Sequence, residues 1–177
     1  MVAAAAVLIV AAVVGVYVLG DDDRPAFPAT DAAALDPVRA RILDVARDEY
    51  DANAPGTAYS AGVTEPWCAD FATTVLHKAG VPLVNPNSGS WRIPGVATLG
   101  EALRAAGRWR PASYRPTPGD LVLYDVPSPL GQHTNIVVAV ADGRLTTVGG
   151  NEDGGITLRT VGVGTDPGIT GYGVPGS

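Results

Sequence analysis

Apolar positions change their spacing along the chain, and the changes mark its parts. Residues 2–19 form an unbroken apolar run of 18. From Pro37 the spacing becomes helical: Val38, Ile42, Val45, Ala46 and Glu49 share one face, with Asp36 as N-cap and Pro37 in the first helical position. This helix fades by Asn53-Ala54-Pro55-Gly56. A second helix follows Pro66, where Cys68, Phe71, Ala72, Val75 and Leu76 recur at i, i+3, i+4, i+7 and i+8 and should face inward; Gly80 closes it. A third, Val96 to Ala106, is closed by Gly107. From Pro118 onward the pattern is that of strands. Asp120 to Tyr124 is short, and His133 to Val140 is nearly continuous in apolar residues, as for a strand buried on both faces. Asp142-Gly143 predicts a hairpin turn into Leu145 to Val148. Gly149 to Gly155 reads as a second turn, followed by strands over Ile156 to Val163 and Ile169 to Val174. Helices followed by four or five antiparallel strands predict an α+β domain.

The first 20 residues stand apart from that domain. As a helix at 1.5 Å per residue, the apolar run would be roughly 27 Å long, close to the ~30 Å of a bilayer core. It is longer than the apolar part of a typical signal peptide, and no small-x-small cleavage site follows it. An uncleaved membrane anchor is therefore favoured over a cleaved signal. No Lys or Arg precedes the run to orient it, but Asp21-Asp22-Asp23 suits an exported side. The rest of the chain is expected outside the cytoplasm. Residues 21–36, rich in Ala, Pro and Asp without an apolar period, read as a linker, and residues 37–177 as the folded domain. A net charge of −6 leaves no basic footprint for nucleic acid. The 22 glycines and 15 prolines fall mostly between the periodic segments, which fits a domain with many tight turns.

Chemistry centres on Cys68, the single cysteine. It cannot form an internal disulfide in an oxidising compartment, so it is either a small buried apolar residue or a free reactive thiol. A position in the first turn of a helix favours thiolate, because the dipole and the unpaired N–H groups are positive there. A thiol nucleophile needs a base and a group to hold the base. His77 lies nine residues after Cys68, about 180° round the helix, and faces away. His133 heads the buried strand and is the remaining candidate, or else a hydrogen-bonded buried histidine. Asn151, just past the neighbouring strand, should lie near it. It either orients the imidazole or simply suits the turn. Tyr59, Trp67 and Trp91 are candidates to line a substrate groove, with Trp91 equally suited to capping the core. One cysteine and two histidines make a zinc site improbable, since such sites take three or four protein ligands. Neither metal nor cofactor is expected.

The order of a helix-borne cysteine, a strand-borne histidine and a polar residue is that of papain-like hydrolases. The chain resembles the CHAP domains of the NlpC/P60 superfamily of cysteine peptidases and amidases. The resemblance rests on Trp67-Cys68-Ala69-Asp70-Phe71 with Ala79-Gly80, on Pro118-Gly119-Asp120-Leu121-Val122, on His133-Thr134-Asn135-Ile136-Val137 and on Gly150-Asn151, over roughly Pro37 to Val174. It implies a papain-like fold with helices packed on an antiparallel sheet. It also implies Cys68 as nucleophile, His133 as general base, Asn151 as orienting residue and the Cys68 N–H in the oxyanion hole. The implied activity is cleavage of amide or peptide bonds in peptidoglycan, as an amidase or endopeptidase. Two positions depart from the pattern. Thr134 replaces a common aliphatic residue, and Gly149 stands where many CHAP domains carry an acid two residues before the Asn. The second departure is what an alternative reading would build on: a catalytically inactive surface domain that binds cell wall or a partner.

Overall fold

The computed structural model describes residues 24–30 and 34–176. The 1–20 segment read as an anchor or signal lies outside the described residues, among which no helix is long and apolar enough to cross a membrane. Helix α1 spans Pro37–Ala52, and Asp36 caps it as expected, accepting from the N–H groups of Val38 and Arg39 at 3.0 Å each. Asn53 ends it in the left-handed region (φ 42°), which an Asn tolerates. Helix α2 is Cys68–Lys78 and α3 is Val96–Ala105.

Six strands form one sheet: β1 (Trp109–Pro111), β2 (Leu121–Tyr124), β3 (His133–Ala141), β4 (Arg144–Glu152), β5 (Gly155–Gly162) and β6 (Ile169–Gly173). Their order is β1-β6-β2-β3-β4-β5, and every neighbouring pair is antiparallel. The α+β architecture of helices on an antiparallel sheet is thus the one expected. Strand β1 has no counterpart in the sequence pattern. Three residues are too few to show a period of two, and β1 exists because Trp109, Arg110 and Pro111 pair with the end of β6.

Two apolar layers lie on opposite faces of the sheet. Leu121, Leu123, Ile136, Val138 and Val148 join the three helices in the main core. Val122, Tyr124, Val137, Leu145 and Tyr172 form a smaller cluster. Alternation along β2 divides its residues between the two, as a period of two requires. A buried ion pair holds α1 to the start of β2: Arg39 Nη1 lies 2.9 Å from Asp120 and 2.8 Å from the Pro118 carbonyl oxygen.

Within the stretch read as a linker, residues 24–30 are seated on this domain. Arg24 donates to the Ile156 carbonyl at 3.0 Å, the Tyr50 hydroxyl donates to the Pro25 carbonyl at 2.7 Å, and Phe27 packs against the Tyr50 ring. A Pro- and Ala-rich segment has no period of its own. It docks because α1 and β5 present it with a tyrosine ring and an open carbonyl.

Candidate active site

Cys68 is the first residue of α2, one position later than Pro66 suggested, and Trp67 is the N-cap. The first intrahelical bond is Phe71 N–H to Trp67 O at 2.9 Å. The N–H groups of Cys68, Ala69 and Asp70 therefore precede the helical ladder and find no acceptor among the described residues. Cys68 through Leu76 are all buried, not one face alone, because α2 lies between β3 and β4 on one side and α1 and α3 on the others. Three polar residues of the helix, Asp70, Thr73 and Thr74, are buried with it, and two of them have clear partners. The Thr73 hydroxyl donates to the Ala69 carbonyl at 2.9 Å. Asp70 pairs with Arg92, whose Nε and Nη2 lie 2.9 and 3.0 Å from its oxygens, and Arg92 also pairs with Glu65. Burial pushes the Asp70 carboxyl above its ordinary value, and the guanidinium opposes this. The pair straps the loop of residues 81–93 to the helix carrying the cysteine.

His133 is the first residue of β3, where the start of α2 reaches the sheet, and its ring lies near enough to the Cys68 thiol for the two to influence each other's charge. Its Nε2 lies 2.9 Å from Glu152 Oε1, which leaves Nδ1 to face the sulfur. Glu152, not Asn151, is the residue behind the imidazole. Both Glu152 oxygens are fully engaged. Oε1 also accepts from Asn135 Nδ2 at 3.0 Å, and Oε2 accepts from the Thr157 hydroxyl and from Arg159 Nε. Asn135, itself fully buried, spends its second amide hydrogen on Thr147 Oγ1 at 3.1 Å.

A bulge in β4 places Glu152 there. Thr147 and Gly149 lie on the face of Asn135, while Gly150 faces Trp67 and Phe71. Unbroken alternation would send residue 152 to the face of Gly150. Instead Gly150 pairs with Ile156 and Glu152 with Gly155, so Asn151 is an extra residue, exposed and at φ 62°. The shift of one returns Glu152 to the side where His133 sits and turns Asn151 outward. The expected turn over Gly149 to Gly155 is therefore corrected: β4 runs on to Glu152, and only Asp153-Gly154 turns. The glycines are there for space. A Cβ on Gly149 would lie 2.0 Å from Asn135 Oδ1, and one on Gly150 would lie 2.4 Å from Trp67 Cζ3. The sequence signal was the run Asn151-Glu152-Asp153-Gly154, whose Asn and Asp tolerate the left-handed region that a bulge and a tight turn need.

The three aromatic candidates separate. Trp67 stacks on Tyr59 with centroids 5.3 Å apart and planes 7° apart, and its ring is wedged between Gly56 and Gly150. Only 4 % of Tyr59 is exposed, and its hydroxyl donates to Glu49 at 2.8 Å. These two rings chiefly pin the start of α2 to the end of β4. Trp67 nonetheless lines a cleft of about 240 Å³ with Asn151, Glu65 and Thr57. Trp91 stacks on His77 at 4.2 Å, near the far end of α2. At 1.5 Å per residue that is about 13 Å along the axis from Cys68. His77 is exposed, as its helical position required.

Burial opposes charging His133, but the hydrogen bonds and charges of Cys68 and Glu152 outweigh it and raise its pKa from 6.5 to about 9. Burial likewise raises Glu152, yet His133, Thr157 and Asn135 carry it down from 4.5 to about 2. Stability follows by linkage. The His133 contribution is complete below pH 6.5 and is lost as pH rises through about 9. The Glu152 contribution is complete above pH 4.5 and is lost as pH falls toward 2. Denaturant midpoints measured against pH should form a plateau between these limits and decline on both sides. The alkaline decline should shrink in His133→Gln. A midpoint still rising above pH 9 would contradict the assignment.

A helix-borne thiol against a strand-borne imidazole, backed by a carboxylate, defines the papain-like class of α+β folds. Within that class the chain belongs to the CHAP domain family, whose match covers residues 59–151, just over half of it. The matched segment contains Cys68, His133 and Asn151 and stops one residue before Glu152. No curated protein sequence matches. Among solved structures, the crystal structure of Ly7917 has a TM-score of 0.54 at 20% identity over 77% of this chain and 62% of that one. Ly7917 with the hydrolyzing product of MDP gives 0.52 at 19% identity, with the same coverage. At such identities the likeness is one of fold, and this chain spans less than two thirds of the Ly7917 chain.

Proposed function

We propose that this protein is a cysteine hydrolase of peptidoglycan, with Cys68 as nucleophile, His133 as general base and acid, and Glu152 in the orienting role assigned from sequence to Asn151. The observation that carries the reading is the buried His133 imidazole, placed by the start of the Cys68 helix and bonded to a carboxylate held by three further donors. Family membership and the peptidoglycan-fragment product named with Ly7917 support the substrate class. The Cys68 thiolate attacks the carbonyl carbon, forming a C–S bond and moving the C=O electron pair onto oxygen. The free N–H groups at the start of α2 stabilise that oxyanion. Imidazolium His133 gives its proton to the leaving amine as the C–N bond breaks. Water then attacks the thioester, His133 takes its proton, and the thiolate departs. Glu152 keeps the ring in the tautomer that turns Nδ1 to sulfur.

We place the domain outside the cytoplasm, tethered by residues 2–19 or released if that segment is cleaved. Against the inactive-domain reading, which rests on the glycine at 149, we set the Glu152 carboxylate beside His133. The test is digestion of purified peptidoglycan by the full chain beside Cys68→Ala, with products identified by mass spectrometry. New muropeptides from the parent alone are expected, and they name the bond. The same absence of products from both proteins, with walls from several sources, would reject the hydrolase and favour a binding domain.

A further inference from the structure

A second cleft borders His133 through its neighbours. Gln132, which precedes it in the chain, and Tyr124, its partner across β2 and β3, both line this cleft. The other wall comes from α3 and β1, where the Arg104 guanidinium lies over the Trp109 ring, 3.9 Å from its centroid. Arg104 is the single cation of the lining. It is exposed and has no ion pair or hydrogen bond among the described residues. The lining's one carboxylate, Asp125, has its Oδ1 occupied by the Val126 N–H at 2.8 Å.

Two glycines make room for this arrangement. Gly100 sits inside α3, where glycine is the least favourable residue short of proline. A Cβ there would lie 3.2 Å from Arg104 Nη1 and 3.7 Å from Trp109 Cζ3. A Cβ on Gly171 would lie 2.3 Å from Trp109 Cζ2. Stacking holds the guanidinium by its face and leaves its N–H edge for a planar, bidentate partner. A cation merely covering a tryptophan would need no such seat.

We infer that Arg104 on Trp109 is a substrate-carboxylate subsite of the active site: the preferred substrate is a peptide with a free carboxylate next to the cut bond. This rests on the hydrolase reading for its substrate but has its own test. Full-chain Cys68→Ala is titrated with N-acetyl-L-alanyl-D-glutamate and with its bis-amide, following the Trp109 indole signal by NMR. The acid should bind at least about tenfold more tightly, the scale of a charge-assisted bidentate pair. Arg104→Gln should abolish the difference, Arg104→Lys should restore part of it, and Gly100→Ala, which crowds the guanidinium, should reduce it. Equal binding of the two ligands, binding of neither, or a preference that survives Arg104→Gln would overturn the subsite. Digestion by the parent chain separates the two readings. Amidated and free walls cut alike would leave the hydrolase standing without the subsite, while neither cut would remove the hydrolase and leave the binding preference to decide the subsite.

Discussion

Replacing Glu152 by glutamine is expected to lower kcat/KM for peptidoglycan on the order of 10⁴-fold, the scale of removing the orienting acid of a nucleophile–histidine pair. Asn151→Ala should stay close to the parent. The substitution is isosteric, so the loss is electronic. In the parent, Oε1 accepts from His133 and Asn135 while Oε2 accepts from Thr157 and Arg159. A glutamine must put its amide nitrogen in one of those places. On the first side the NH₂ meets the Asn135 amide donor and the His133 N–H; on the second it meets a guanidinium. Either way donors face donors, and the ring loses the anion that held its proton on Nε2. The His133 pKa, raised to about 9 in the parent, should fall toward its ordinary 6.5. NMR titration of the ring reads this independently of turnover. If Asn151→Ala costs as much activity as Glu152→Gln, the orienting role returns to Asn151.

Gly149→Ala is expected to destabilise the fold by about 3 kcal/mol, adding overpacking to the exposure of buried polar groups. The new methyl would sit 2.0 Å from Asn135 Oδ1, 2.7 Å from its Cγ and 2.9 Å from Glu152 Oε1. Asn135 cannot swing away cheaply, since it is fully buried and its amide bonds both Thr147 and Glu152. Displacing it strands these partners. An acid at 149, as many CHAP domains carry, should do worse, because it would set a second carboxylate against Glu152. Chemical denaturation of Gly149→Ala and Gly149→Glu measures both, and unchanged midpoints would show that Asn135 has room to move. In this chain the carboxylate arrives from three residues further on, and the side chains that hold it fill the space above residue 149.

Much of this molecule could be read without coordinates. Helical spacing located α1, α2 and α3 to within two residues, because caps and closing glycines are local chemistry. A lone cysteine on a helix start and a histidine heading an apolar strand drew attention to the two residues that meet. The identity of the third group could not be read that way. Sequence patterns assume unbroken alternation and treat paired glycines as a turn, whereas β4 continues through Gly149-Gly150 and then inserts one residue. That single bulge exchanges Asn151 for Glu152 at the imidazole, and it exists because β5 pairs across it. Tertiary packing likewise moved Trp91 to the far end of α2, buried Tyr59 under Trp67 and seated residues 24–30 on the domain. Composition and period determined that the three helices and the strands other than β1 form, since those follow from local geometry. Which acid reaches the histidine and which aromatic rings stay open depended on register and on contacts between residues far apart in the chain, which no local pattern contains.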